Sequence, residues 1–294
     1  MTLNITLASS WLMLQSSDFK LTVDSHGSNI PVSETAQKQV VLQYFGWSGL
    51  LCYTGIAKSN DHDTAEWLNE ILEHPRGQRS VKEIVSLIAT EGNKWLVKVS
   101  EMRRMHTFTL MAYVDKIPWV YVISNIEWVG GRRFPNARNE FIISNLKPRK
   151  PRCLPTGRSS ALTSEQRRRL EICLASTTIL SRENLAKTRY ILASASKEAS
   201  SRSDTIGKNC VVAHLLPDGS GEAQIFGNLK SPYLPSFIVH GTNTVAQSNV
   251  VFQETKVKEQ QTLVGVTWDS LRSGSATAMA LLYRDVSEKG SMEW

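Results

Sequence analysis

The chain opens with two strand-like runs. Thr2-Leu-Asn-Ile-Thr-Leu-Ala-Ser9 turns at Ser9-Ser10 into Trp11-Leu-Met-Leu-Gln-Ser-Ser-Asp18. Their apolar and β-branched content predicts a hairpin. A hairpin of this length returns Asp18, at the end of the second strand, beside Thr2. If Met1 is removed, Thr2 offers a hydroxyl and a free α-amine on one residue. The amine can then serve as base for its own hydroxyl. The plainer reading is that Thr2 only begins an edge strand.

Residues 20–38 are rich in Ser, Gly, Asn and Pro and predict a turn-filled excursion. Strands are expected at Gln39–Phe45 and Gly49–Gly55, with Gly46 and Ser48-Gly49 at the bend. A helix capped by Asp61 or Asp63 follows, with Ala65, Leu68, Ile71 and Leu72 as its apolar stripe. A second begins at Ser80, with Glu83 in capping-box position and an apolar face running from Val81 to Val99. Strands return at Thr107–Val114 and Trp119–Ser124, across an Asp115–Pro118 turn, and at Asn139–Asn145.

Two more helices are expected, one capped at Thr163 with Gln166 in box position and one over Ser181–Ser200. Strands Cys210–Leu216 and Glu222–Phe226 flank the turn Pro217-Asp-Gly219. Beyond them, Phe237–His240, Thr262–Trp268 and Thr277–Tyr283 are strand-like. This order is not a βαβ alternation. It predicts an α+β fold, a four-layer αββα sandwich of two mainly antiparallel sheets flanked by helix pairs. Residues 1–228 would form the main domain and 229–294 a β-rich C-terminal extension.

Composition narrows the classes. The 294 residues suffice for one large domain or two small ones, and 21% charged with 41% apolar residues fits a globular protein. No apolar run is long enough to span a bilayer, and the start lacks the pattern of a secretion signal. No membrane partner and a cytoplasmic location are therefore expected. The net charge of +7 is concentrated in Lys147-Pro-Arg-Lys-Pro-Arg152 and Arg167-Arg-Arg169. No nucleic-acid motif accompanies these clusters, so they read as a solvated loop and helix face. Cys52, Cys153, Cys173 and Cys210 are scattered and read as reduced thiols. No histidine pair has zinc-like spacing, and neither metal nor cofactor is expected.

Element order and local motifs together resemble the proteasome-type N-terminal nucleophile hydrolases, which include proteasome subunits and proteasome-like bacterial proteases. The resemblance covers residues 2–227. It rests on the Thr2 hairpin ending in Asp18-Phe-Lys20 and on Lys38 with Leu42 and Gly46-Trp-Ser-Gly49. The Phe108–Ser124 hairpin, Pro155-Thr-Gly157 before Ser159-Ser-Ala161, and Asp204-Thr-Ile-Gly207 before Cys210 add to it. The resemblance implies Thr2 as nucleophile and Asp18 as orienting carboxylate. It implies Lys38, with Lys20 as second choice, as the activating lysine. Backbone amides at the turn ending in Gly49 would form an oxyanion hole, and Ser159 and Asp204 a supporting polar shell.

The implied activity is that of a threonine-type amidohydrolase or peptidase, acting on a peptide or other amide within a homo-oligomer. The alternative is a non-catalytic structural or binding protein of the same architecture. It is motivated by the long segment between Asp18 and Lys38, by Trp47 inside the glycine turn, and by the added tail.

Overall fold

The computed structural model describes residues 2–25, 28–33, 36–59, 62–73, 79–98, 105–129, 132–227, 235–243 and 265–268. The opening hairpin is β1 (Leu3–Ala8) and β2 (Met13–Asp18). Ser9 closes its turn: the hydroxyl donates to Leu12 O (2.8 Å) and accepts from Leu12 N (3.0 Å). The next segment departs from the turn-filled expectation. It forms an antiparallel hairpin of β3 (Leu21–Ser25) and β4 (Ser28–Ser33). The β-branched residues Thr22, Val23, Ile30 and Val32 favour strands despite the polar, Gly-containing surroundings.

Strands β5 (Gln39–Tyr44) and β6 (Trp47–Thr54) pair across a tight turn at Phe45-Gly46, where Gly46 takes φ 80°. The expected bend at Ser48-Gly49 is corrected: both residues lie within β6. Trp47 stacks on Tyr44 at 4.8 Å between ring centroids, so strand pairing extends to the turn. Strands β7 (Lys58–Ser59) and β8 (His62–Asp63) lead into helix α1 (Thr64–Leu72). Of the two candidate caps, Asp63 does the capping, and Asp61 lies outside the described residues. Helix α2 (Val81–Leu96) carries the Ser80–Glu83 capping box. Val99 also lies outside the described residues.

Strands β9 (Thr107–Val114) and β10 (Ile117–Ser124) meet at a two-residue turn, Asp115-Lys116, with φ of 49° and 65°. The expected four-residue turn is thus shorter, and Pro118 is in a strand. It pairs with Tyr113 on one side, and pairing with the next strand starts only at Val120, so its missing N–H costs no ladder bond. That next strand, β11, is Ile142–Leu146. Strand β12 (Arg152–Gly157) includes Pro155-Thr-Gly157, and Ser159–Ala161 follows as a short 3-10 turn. Pro155 is tolerated because β12 is an edge strand.

Helices α3 (Ser164–Ser176) and α4 (Arg182–Ser200) begin at the expected caps Thr163 and Ser181. Strands β13 (Cys210–Leu215), β14 (Gly221–Phe226), β15 (Ser236–Val239), β16 (Thr242–Asn243) and β17 (Gly265–Trp268) complete the described elements. The strand expected at 277–283 lies outside them.

The protein is α+β, with two large, mainly antiparallel sheets and four described α-helices. One sheet has the order β12-β1-β2-β13-β14-β17, the other β11-β10-β9-β6-β5-β15-β16. Within them, only β5 and β15 pair in parallel. Strands β15 and β17 show that residues beyond 228 contribute to both sheets.

Side-chain alternation divides the core into three. Leu3, Ile5 and Leu7 pack with Leu170, Leu174 and Leu192 of α3 and α4. Leu51, Tyr53 and Leu110 pack with Leu68, Ile84 and Ile88 of α1 and α2. Met13, Val41, Leu50, Met111 and Ala213 form a core containing residues from both sheets. Each fully buried Leu or Ile adds about 1.5–3 kcal/mol. Polar bonds also join the sheets: Asn4 donates to Tyr53 O (3.0 Å), Gln15 to Thr109 O (3.3 Å), and Gln39 to Gln15 O (3.0 Å).

Candidate active site

Three chain segments meet where β1 begins and β2 ends. The pairing of Asn4 with Ser17 sets the hairpin register, which leaves Asp18 facing the first residues of β1. The Thr2 hydroxyl donates to Asp18 Oδ2 (2.6 Å), and Leu3 N donates to the same oxygen (3.1 Å). Lys38, immediately before β5 on the other sheet, donates from Nζ to Asp18 Oδ1 (2.9 Å) and to the Lys20 carbonyl (2.6 Å). Its third bond goes to Thr2 Oγ1. Lys20 N donates to Asp18 Oδ1 (2.8 Å).

Thr2, Asp18 and Lys38 are 4%, 2% and 3% exposed. Burial pushes the Lys38 ammonium below the usual lysine range, while the charge and hydrogen bond of Asp18 pull it back up. A hydroxyl held between an ammonium and a carboxylate has a positive charge and a proton acceptor already in place.

A small cleft beside the triangle is lined by Thr2, Lys20, Leu21, Tyr53, Gly55 and Ala57, among others. Gly55 has φ 116°, and a Cβ there would lie 2.4 Å from Met105 O, so only glycine fits this bend. Gly157, at the end of β12, lies against the main chain of Thr2. It has φ 77°, and a Cβ there would lie 2.2 Å from Thr2 O. Arg158 N donates to that same Thr2 carbonyl (2.8 Å).

The expected residues divide clearly. Thr2, Asp18 and Lys38 come together. Lys20 joins them through its main-chain carbonyl and N–H, while its side chain is only partly buried. Gly49 is not brought to the site. It lies inside β6 opposite Leu42 and Ala112, five residues before Thr54. That is about 16 Å along the strand. A Cβ on Gly49 would lie 2.9 Å from Leu110 Cδ1, so this glycine serves packing.

Ser159 begins a short 3-10 turn, and its carbonyl accepts from Arg167 Nη2 (2.7 Å); no described hydrogen bond joins its hydroxyl to the triad. Asp204 is exposed. Its neighbour Gly207 is the closer residue: a Cβ there would meet Lys20 Cβ at 3.0 Å and Asp18 Cβ at 3.4 Å.

Sequence reasoning missed the roles of Gly55, Gly157 and Gly207 at the walls of the site. Gly55 had a weak signal as the glycine ending a strand run. Gly157 and Gly207 stood in the segments Pro155-Thr-Gly157 and Asp204-Thr-Ile-Gly207, with no role assigned to either glycine. Cys210 pairs with Asp18 across β2 and β13, and burial, with the Asp18 charge, pushes its thiol up to about 12. It therefore stays protonated beside the carboxylate. Among the described residues, no three His, Cys, Asp or Glu side chains converge as a metal site. No described helix is long and apolar enough to cross a membrane.

No family model matches the chain, and no curated protein matches it. Among solved structures it is similar to Anbu (ancestral beta-subunit) from Yersinia bercovieri, at 11% identity and TM-score 0.46, over 73% of this chain and 81% of that one. It is also similar to the Anbu complex from Pseudomonas aeruginosa, described as a helical assembly, at 11% identity and TM-score 0.44, over 71% and 79%. These matches correct the family named from the sequence. They are Anbu proteins in place of the proteasome subunits and bacterial proteases, and no family model carries the chain into that hydrolase family.

Proposed function

We propose that this chain is a threonine-type amide hydrolase whose nucleophile is the Thr2 hydroxyl. The observation that supports it is the buried hydrogen-bonded triangle of Thr2 Oγ1, Lys38 Nζ and the Asp18 carboxylate, opening on a cleft. Cleavage of the bond before Thr2 frees its α-amine. That amine takes the hydroxyl proton as Oγ1 attacks the carbonyl carbon of a peptide or other amide. The C–N bond breaks, the departing amine takes the proton, and the acyl group stays on Thr2 as an ester. Water then adds to the ester, releasing the acid and restoring the hydroxyl.

Lys38 stabilises the developing negative charge on Oγ1, and Asp18 holds Lys38 in place. The main-chain N–H of Gly55, which lines the cleft beside Thr2, is the candidate donor to the oxyanion. We also propose the four-layer αββα arrangement, on the strength of the three cores between and outside the sheets. Self-association is part of the same reading. Ile172 (57% exposed), Ile179 (70%) and Tyr190 (65%) are apolar side chains left exposed on and between α3 and α4. Sedimentation of a species no heavier than the 32.9 kDa chain would remove that element.

Intact-mass analysis after treatment with a threonine-directed epoxyketone tests the chemistry. One adduct on Thr2 is expected, with none in Thr2→Ala, which should keep its assembly state. Absence of an adduct on the wild-type chain would leave the second reading, a non-catalytic structural or binding protein. The near-complete burial of Thr2 favours that alternative, since the triangle also ties three segments together.

A further inference from the structure

The hydroxyl of Thr2 is held by Asp18 and Lys38, but its main chain is held from the opposite side. Arg158 N donates to Thr2 O, and the Gly157 α-carbon lies against that oxygen so closely that no side chain fits. Gly157 is in turn gripped at its N–H and at its carbonyl. Its N–H donates to Glu127 Oε1 (3.1 Å), and its carbonyl accepts from Arg133 Nη2.

Both gripping residues come from the segment after β10. That segment is closed on itself by a bridge between Glu127 and Arg133, by Trp128 N donating to Arg132 O (2.7 Å), and by Phe134 N donating to Ile126 O (2.8 Å). Its base is anchored to β10, because Ser124 Oγ accepts from Ile126 N (3.1 Å) and Glu127 N (3.0 Å). Glu127 is 1% exposed, although it is an acid in a segment that otherwise reaches the surface.

A buried carboxyl is costly unless it is hydrogen-bonded. One of its partners, beside the Thr107 side chain, is the Gly157 backbone N–H, one residue from the amide that fixes Thr2. We infer that Glu127 is a positioning residue for Thr2, acting through the Gly157 peptide; this rests on the proposed role of Thr2. Burial raises the Glu127 carboxyl above the usual range, partly offset by the Gly157 N–H, Thr107 and Arg133. The neutral acid and a glutamine present the same acceptor to Gly157. The useful property is thus the oxygen at that place, and not the charge.

The test is the rate at which an epoxyketone labels Thr2 in the full chain, resolved into a maximal rate and a half-saturating concentration. Glu127→Gln keeps the acceptor and is expected to label like wild type. Glu127→Met fills the same volume without an acceptor. It is expected to lower the maximal rate by about 100-fold through misplacement of the nucleophile. Its half-saturating concentration should stay within about threefold, as for a loss confined to the reacting step.

Glu127→Asp, which retracts the oxygen by one carbon, is the second variant should Glu127→Met not fold, and is expected to be slowed likewise. Wild-type rates in Glu127→Met or Glu127→Asp overturn the inference, as does a Glu127→Gln chain as slow as Glu127→Met. In those cases wild-type labelling still stands, so the role of Thr2 survives. No labelling of wild-type Thr2 overturns both.

Discussion

Lys38 directs its three hydrogens to Thr2, Asp18 and the Lys20 carbonyl, all inside the protein. Removing it strands a carboxylate that is 2% exposed. Lys38→Ala and Asp18→Ala are each expected to destabilise by about 3–5 kcal/mol. The double variant should cost clearly less than the sum, because one loss removes the need for the other partner. Urea unfolding of the four chains measures this coupling; strict additivity would deny that the pair acts as a unit. Thr2, Asp18 and Lys38 were legible in the sequence, the first two because hairpin geometry alone brings them together. The walls were not, since Gly55 and Gly157 are glycines only because of what lies behind them. A second buried residue governs acid behaviour. His106 lies among Tyr53, Trp95 and Phe108, and burial, with a minor contribution from His62, lowers its pKa from 6.5 to about 3. Between these values the unfolded chain binds a proton that the folded one refuses, so stability falls as pH drops from 6.5 toward about 3. His106→Phe is expected to flatten part of that fall in melting temperature. An unchanged slope would assign the acid loss to other groups, His214 among them, whose pKa is likewise lowered to about 3.

Elements were most legible where capping chemistry and apolar periodicity coincide. Ser80 with Glu83 and Thr163 with Gln166 both form capping boxes at the expected helix starts. Strands were harder where a turn residue sits at a permissive place. Pro118 precedes the stretch of β10 paired with β11, and Pro155 is on an edge, so neither breaks its strand. The β9–β10 turn is a case in which sequence and geometry conflict. Asp115 and Lys116 both take left-handed φ, and lysine is poorly suited to that region. Lys116→Gly is expected to stabilise the protein by about 1 kcal/mol, net of the larger freedom glycine gives the unfolded chain. Guanidinium unfolding checks it, and a loss of stability would mean that the Lys116 side chain makes a compensating contact.

The two sheets depend on residues far along the chain. β15 covers the side of β5 away from β6, and β17 covers the side of β14 away from β13. Truncation after residue 228 leaves both strands with an unpaired edge, one of them next to Lys38. Such a chain is expected to aggregate on refolding, as seen by light scattering, while the full chain stays clear. A soluble, cooperatively melting truncation would make the tail dispensable. This dependence was invisible in the sequence, because Phe237–Val239 has the look of any short apolar strand and its parallel partner lies almost two hundred residues earlier. The division of the site between two sheets has a consequence for a chain being made. Asp18 ends a strand of one sheet and Lys38 precedes a strand of the other, so the ammonium reaches the carboxylate only after the sheets have closed on each other. A polypeptide whose sheets have not yet closed carries the threonine beside Asp18 but lacks the ammonium beside it. Any ability to cut amides would thus be withheld during synthesis, sparing the newborn molecule and its neighbours.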